Sequence, residues 1–467
     1  TIASTPFLSS RPRAAAAMVI FLAATLHAAD QTWNTAGFTD GNWNVASNWV
    51  GGAVPGAATG STSGDTATFN GGANLAVTID ASRNIKNITF DTASAGAFTF
   101  AGGPLTITNA GAITSNSTVT ATQTFNNNFL GSPNSTATAH SFLNNSATPG
   151  AKLDLLGNIT GQMTASTETF TFGGSNGGTM SGDIINGSGG GNVAVTKSGA
   201  GTWTISGGGN AYTGATTLGG GTLVLSGGNN RLPTATTVSF TGASTLNIGA
   251  TSQTLTGLSF GANVTGTITG SGGTLTLTGS SVNLGGLGGT TLNATGLSNF
   301  TYNNASGTFG LNVSTNDATA NVNLGGTVSI TALAFNVGNG GPTGNGNGKS
   351  NTFALGQTNT IQADTINVGK GGANNGNSTL KFVSGQTAPT LTIRGTAGGT
   401  SRANVMIGQG NANTDYSGET GTINLTTGVT DSVLDARVGT LTLGYHALGA
   451  GNFNNTTAGN FIFSLGT

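Results

Sequence analysis

From about residue 30 onward the apolar positions recur every second residue, in short runs broken by Gly, Asn, Ser and Thr. NLAVTID (74–80), NITF (87–90), GTWTISG (201–207), GTLVLSG (221–227), STLNIG (244–249), GTLTLTG (273–279), TLTIRG (390–395) and GTLTLG (439–444) all have this form. Alternation of β-branched, aromatic or leucine side chains with Thr and Ser, bounded by turn residues, predicts strands. No segment of helical length carries the 3.6-residue period, so the chain beyond its first thirty residues reads as all-β.

The strands are also copies of one another. A glycine turn leads into Leu223 and Leu225, into Leu275 and Leu277, and into Leu441 and Leu443. Trp203 and Ile205 occupy the same two places in GTWTISG, as do Leu105 with Ile107 and Leu391 with Ile393. Residues two apart share a sheet face, so each copy offers a two-residue apolar pair while the Thr between them faces out. One such strand cannot bury its face alone, whereas copies stacked along an axis build a continuous core. An immunoglobulin-like or jelly-roll domain would show a distinctive core set once per domain, not one small motif throughout the chain. The glycines suit tight corners, and the Asn and Thr suit side-chain ladders between coils. The expected fold is a right-handed parallel β-helix, a β-solenoid. At about 20 residues and ~4.8 Å per coil, it would be a rod on the order of 100 Å long.

The N-terminus differs from the rest. RPR (11–13) followed by AAAAMVIFLAATLHAA (14–29) has the basic and short apolar regions of a secretory signal peptide. The chain begins with Thr1, which leaves Met18 as an alternative start, and the cleavage triplet before Asp30 departs from A-x-A. No later stretch approaches the ~18 apolar residues of a membrane-spanning helix. The division that follows is a signal peptide at 1–29, a Trp-containing β region with cap and first coils at 30–150, solenoid at 151–300, and its continuation at 301–467. The pattern is still running at FIFSLGT, which predicts further coils past Thr467.

One stretch has a more specific likeness. TWTISGGGNAYTGATTLGGGTLVLSGGN (202–229), with LPTATTVSF (232–240) and STLNIGATSQTLTGLSF (244–260) after it, resembles the autotransporter-associated β-strand repeat, also called the passenger-associated transport repeat. The residues carrying the likeness are Trp203-Thr204-Ile205, Asn210 to Gly214 with Tyr212 at the centre, Thr216-Thr217, and Gly221-Thr222-Leu223 leading to Leu225. The segment TWNTAGFTDGNWNVASNWVGGAVPG, which opens the exported part, is similar to the N-terminal region that accompanies such repeats in large exported bacterial proteins. The resemblance implies a secreted or surface-displayed passenger of a Gram-negative-type bacterium, with a β-helical stalk. It also implies outer-membrane translocation machinery as a partner and surface glycans or other cells as contacts.

Composition narrows the chemistry. Only 6% of residues are charged, the formal net charge is -1, and 81 of 467 residues are Gly, where an average soluble protein carries roughly 25% charged residues. Such a chain gives no electrostatic handle for nucleic acid. It has no Cys, which excludes disulfides and thiolate metal sites. Glu168 and Glu419 are the only glutamates, and His140 and His446 are the only histidines beyond the leader. Neither His has a ligand partner at local metal-binding spacing, so no metal and no cofactor are expected. GNGGPTGNGNGKS (338–350) imitates the end of a phosphate loop but lacks its first glycine and a following helix. Gly173 to Gly177 fits G-x-S-x-G without the strand-to-helix elbow that motif requires, and reads as a turn.

Two alternatives to a structural passenger remain open. Parallel β-helices can host polysaccharide lyases or hydrolases, which need carboxylates grouped with Lys or Arg. The candidates would be Asp364, Arg394, Arg402, Asp415, Asp431, Asp435 and Arg437, which also read as solvated edge charges. Trp33, Trp43 and Trp49 lie close together near the start of the exported part. They suit a glycan-stacking tip of a non-catalytic matrix protein, or else a cap over the open end of the solenoid.

Overall fold

The computed structural model describes residues 30–35, 40–60, 62–72, 75–133, 136–285, 289–311, 319–339, 349–370, 376–409, 420–445, 450–454 and 461–465. The leader at 1–29, most of the phosphate-loop look-alike, Asp415, Glu419 and His446 lie outside them. The chain is a right-handed parallel β-helix. Every ladder between strands is parallel and joins one coil to the next. A single 3-10 turn, Ala46–Asn48, is the helical element among the described residues.

Three sheets run along the rod. The first is built from strands such as Thr138–Asn144, Thr167–Gly173, Asn192–Lys197, Thr216–Leu218 and Thr237–Phe240. The second takes Leu153–Leu155, Gly178–Met180, Thr202–Ile205, Gly221–Leu225 and Ser244–Asn247. The third is short near the N-terminus, with Phe129–Leu130, Ile159–Thr160 and Ile184–Ile185, and long after Ser252. Further along, the 22-residue strand Thr290–Leu311 turns the corners and pairs in separate stretches, serving all three sheets. Stacking continues without a break through residues 150 and 300.

Alternation puts every second side chain into the core, where like side chains stack from coil to coil. One inward column of the first sheet reads Ile113, Phe142, Phe172, Lys197, Leu218, Phe240 and Phe260. Phe240 and Phe260 stack with nearly parallel rings at 5.2 Å, as do Phe100 and Phe125 at 4.3 Å. Each fully buried ring contributes about 1.5–3 kcal/mol through area removed from water. Asn336 and Asn367 supply a buried amide ladder at 2.7 Å.

The Leu-x-Leu copies fall in all three sheets: Leu223 and Leu225 lie in the second sheet, Leu275 and Leu277 in the third, and Leu441 in the first. The motif encodes a strand with one buried face, and all three sheets need that same strand. The coils are also longer than assumed. Trp203 lies opposite Leu223, twenty residues on, but Val322 lies opposite Phe353, thirty-one on. With about fifteen coils the rod is roughly 70 Å long, shorter than the sequence suggested.

Candidate functional site

The NAYTG segment explains how a coil can be as short as twenty residues. Here the third sheet shrinks to one bridge, Ile185 to Ala211, and side chains replace the missing strand. Asn210 accepts a hydrogen bond from the Ile184 amide of the preceding coil and donates to Gly207 O and, in the following coil, Arg231 O. One amide thereby ties three coils. Tyr212 is fully buried, its hydroxyl 2.7 Å from Thr216 Oγ1, and burial pushes its pKa up. Thr213 is bonded back to Asn186 and Asn192. At Gly214 a Cβ would press on the Val193 carbonyl and Ala194, so the corner closes only with glycine.

Around this corner Trp203 pairs with Leu223 and Ile205 with Leu225, all 0–1% exposed. Lys197, the only Asp, Glu, Lys, Arg or His between residues 195 and 225, points into the core column between Phe172 and Leu218. Its ammonium donates to Ser198 O at 2.7 Å, Gly199 O at 3.0 Å and Gly220 O at 3.0 Å. All three N–H groups therefore have acceptors, and the last joins consecutive coils. Burial pulls the Lys197 pKa down to about 8, while the carbonyls favour the charged form.

Residues 195–225 match the family model described as passenger-associated-transport-repeat. They are similar to one such transport repeat. The repeat begins in the first sheet at Val195, crosses the second at Thr202–Ile205, turns at Asn210 to Gly214 and closes one coil later at Leu225. Among curated proteins and among solved structures, nothing matches the chain. As a unit the repeat is a self-registering coil: its apolar pairs, its asparagine clamp and its buried ammonium all bond to neighbouring coils.

The other candidate residues are placed as follows. Trp33, Trp43 and Trp49 are 0–1% exposed and cluster over Phe69, with Trp33 to Trp49 at 4.9 Å and Trp43 to Trp49 at 4.8 Å, both edge-on. Trp43 Nε1 donates to Pro55 O and Trp49 Nε1 to Trp43 O. The indole faces that would stack on a sugar are turned into the core. Behind them the buried Arg83 donates to Asn44 Oδ1 and Gly56 O, and burial lowers its pKa.

Ser175, the nucleophile position of the G-x-S-x-G pattern, donates to Asn145 O in the preceding coil. Among the described residues, four of the charged C-terminal side chains have the following partners. Arg394 makes a 2.6 Å ion pair with Asp435, Asp364 accepts from the Thr396 amide, and Arg402 donates to Val438 O. Among the described residues no three His, Asp or Glu side chains gather as a metal-binding group.

Sequence reasoning missed one pair. His140 and Glu168, 28 residues apart, meet inside the core with Nε2 2.8 Å from Oε1, both 0% exposed. Glu168 also accepts from the Ser132 and Gln162 amides, each at 2.8 Å. Two backbone amides and the imidazole thus hold the Glu168 carboxyl group in place, and His140 stacks on Phe170 at 5.2 Å. Their separation is one coil, so only knowledge of the coil length could have revealed it. Just outside, a cavity of about 390 Å³ is lined by Ser63, Lys86, Thr108, Asn109, Ser132 and Pro133.

Proposed function

We propose that the chain is an exported passenger, surface-displayed or secreted, whose β-helix serves as a structural or adhesin-like stalk. The observation that carries this reading is the transport repeat built in register into an uninterrupted solenoid. Within that repeat the only ionisable side chains are the enclosed Lys197 and Tyr212, which gives it a bonding role between coils and no acid or base at the surface. Short coils locked by local clamps fold one upon the next, as quasi-one-dimensional repeat proteins do. That suits a chain emerging from a translocation pore and assisting its own passage across the outer membrane. The tryptophan cluster acts in this reading as the cap on the first coil. The ligand of the stalk would be a surface glycan or another cell.

The chain is non-enzymatic in this proposal; of the charged residues that a lyase or hydrolase would group, Asp364 caps the Thr396 amide and Arg394 pairs with Asp435. The test is expression of the full chain with its own first 29 residues in a Gram-negative host, with cell fractionation and a polysaccharide panel. Recovery from the envelope or medium, with no new reducing ends or unsaturated sugars, is expected. Retention in the cytosol, or release of sugars, would overturn the reading.

A further inference from the structure

The outer face of the third sheet carries two columns of hydroxyl groups. In six consecutive coils the two outward positions are Ser252 and Thr254, Thr274 and Thr276, Asn299 and Thr301, Thr327 and Ser329, Thr358 and Thr360, and Thr390 and Thr392. Eleven of these twelve positions are Thr or Ser. The matching columns of the second sheet, from Thr265 and Thr267 to Thr422 and Asn424, are only half hydroxyl and include Ala354 and Lys381. Outward placement on a strand does not by itself account for that difference.

The columns run without a register shift, and all twelve side chains are exposed or half-exposed. Asn299 bonding to Thr274 Oγ1 is the one side-chain hydrogen bond seen within the array. The other hydroxyls face solvent. The next coil brings Val433 and Asp435, where the Arg394–Asp435 ion pair ends the array.

The spacing is fixed by the fold. Successive coils place hydroxyls about 4.8 Å apart along the axis, and residues two apart on a strand are about 6.7 Å apart across it. Tetrahedral water bonded at about 2.75 Å has second-neighbour oxygens about 4.5 Å apart, and eight-thirds of that bond gives the layer repeat of hexagonal ice, about 7.3 Å. The two nets agree to within about 10% in each direction, close enough for shared register over a few coils. We propose that this face binds ice.

Other occupants fit less well. The array covers on the order of 250 Å², far below the ~800 Å² per partner of a stable protein interface, so a second copy is disfavoured. No charged or aromatic side chain stands between Ser252 and Thr392 in the two columns. An anionic surface would have nothing to pair with, and the ring platforms that hold sugars are missing. A neutral lattice of donors and acceptors matches a neutral face of hydroxyls and methyls.

The test is inhibition of ice recrystallisation by the purified full chain, which does not depend on whether the protein is displayed on cells. The wild type is expected to be active. Thr301→Tyr and, separately, Thr360→Tyr should each lower activity by about tenfold or more, because a ring lifts neighbouring hydroxyls off the lattice. Asn293→Tyr, on the second sheet, should leave activity unchanged, with circular dichroism checking that all variants keep their strands. An inactive wild type, equal losses in all three variants, or binding to crystalline cellulose or chitin without activity on ice would overturn the proposal.

Discussion

Replacing Lys197 with Met tests the part of the transport repeat that composition made look chemically empty. Met keeps most of the volume in the column between Phe172 and Leu218 but removes the ammonium. Three carbonyls, of Ser198, Gly199 and Gly220, then lose their donor. Hydrogen bonds to charged groups are worth about 1.5–3 kcal/mol each, which sets the upper limit. Relief from burying a charge returns part of it, since apolar replacement of buried ions is often tolerated. The net expected loss is about 2–4 kcal/mol. In a solenoid this cost is local. Amide exchange should therefore accelerate at Gly219 and Thr222, whose N–H groups bond to Lys197 O and Gly201 O, and stay unchanged at Trp43, bonded to Thr78 O. Hydrogen exchange with residue resolution, together with denaturant midpoints, reads both effects. A variant within about 0.5 kcal/mol of wild type would refute the claim that the ammonium ties the two coils.

Further outcomes follow from the same geometry. The Lys197 pKa, near 8 in the fold against an ordinary 10.5, means that the unfolded chain binds more protons between those values. Its contribution to stability should thus rise with pH across that window, and the rise should be absent in Lys197→Met when denaturation midpoints are compared at about pH 7 and about pH 10. Gly131→Ala would drive a Cβ into the Glu168 carboxyl group; displacing that side chain leaves the Ser132 and Gln162 amides without their acceptor and should cost about 2–5 kcal/mol in chemical denaturation, and a neutral result would mean the site is loose. Trp43→Ala should cost about 3–5 kcal/mol and loosen the first coils. All four tryptophans are 0–1% exposed, so iodide should quench little of the native fluorescence, and strong quenching would return the sugar-stacking reading to favour.

The strand pattern was legible because burial on one face imposes a period of two, and the solenoid was legible because the same strand recurs. Which sheet each copy joins was not. Leu223 and Leu275 sit in near-identical heptads yet belong to different sheets, since the deciding variable is coil length, set by corners. The Asn210 to Gly214 corner shows why: its function is to bond to Ile184 and Arg231, residues distant in sequence. The His140–Glu168 pair was hidden for the same reason, whereas the inward placement of Lys197 follows from the strand period, two residues after Val195. The threonine columns were visible as Thr-rich strands, but their alignment into one face depended on the register of six coils.

The most direct test of the account uses the absence of cysteine. Thr204 and Val224 lie opposite each other on the outer face of consecutive coils of the repeat, and a disulfide between them requires both that register and an oxidising compartment. The full chain with Thr204→Cys and Val224→Cys, expressed with its own leader in a Gram-negative host and trapped by thiol blocking at lysis, should be recovered oxidised. A control with Thr204→Cys and Ser239→Cys, on different sheets, should keep free thiols. Reduced protein in the cytosol would contradict export, and equal oxidation of the two pairs would contradict the solenoid register.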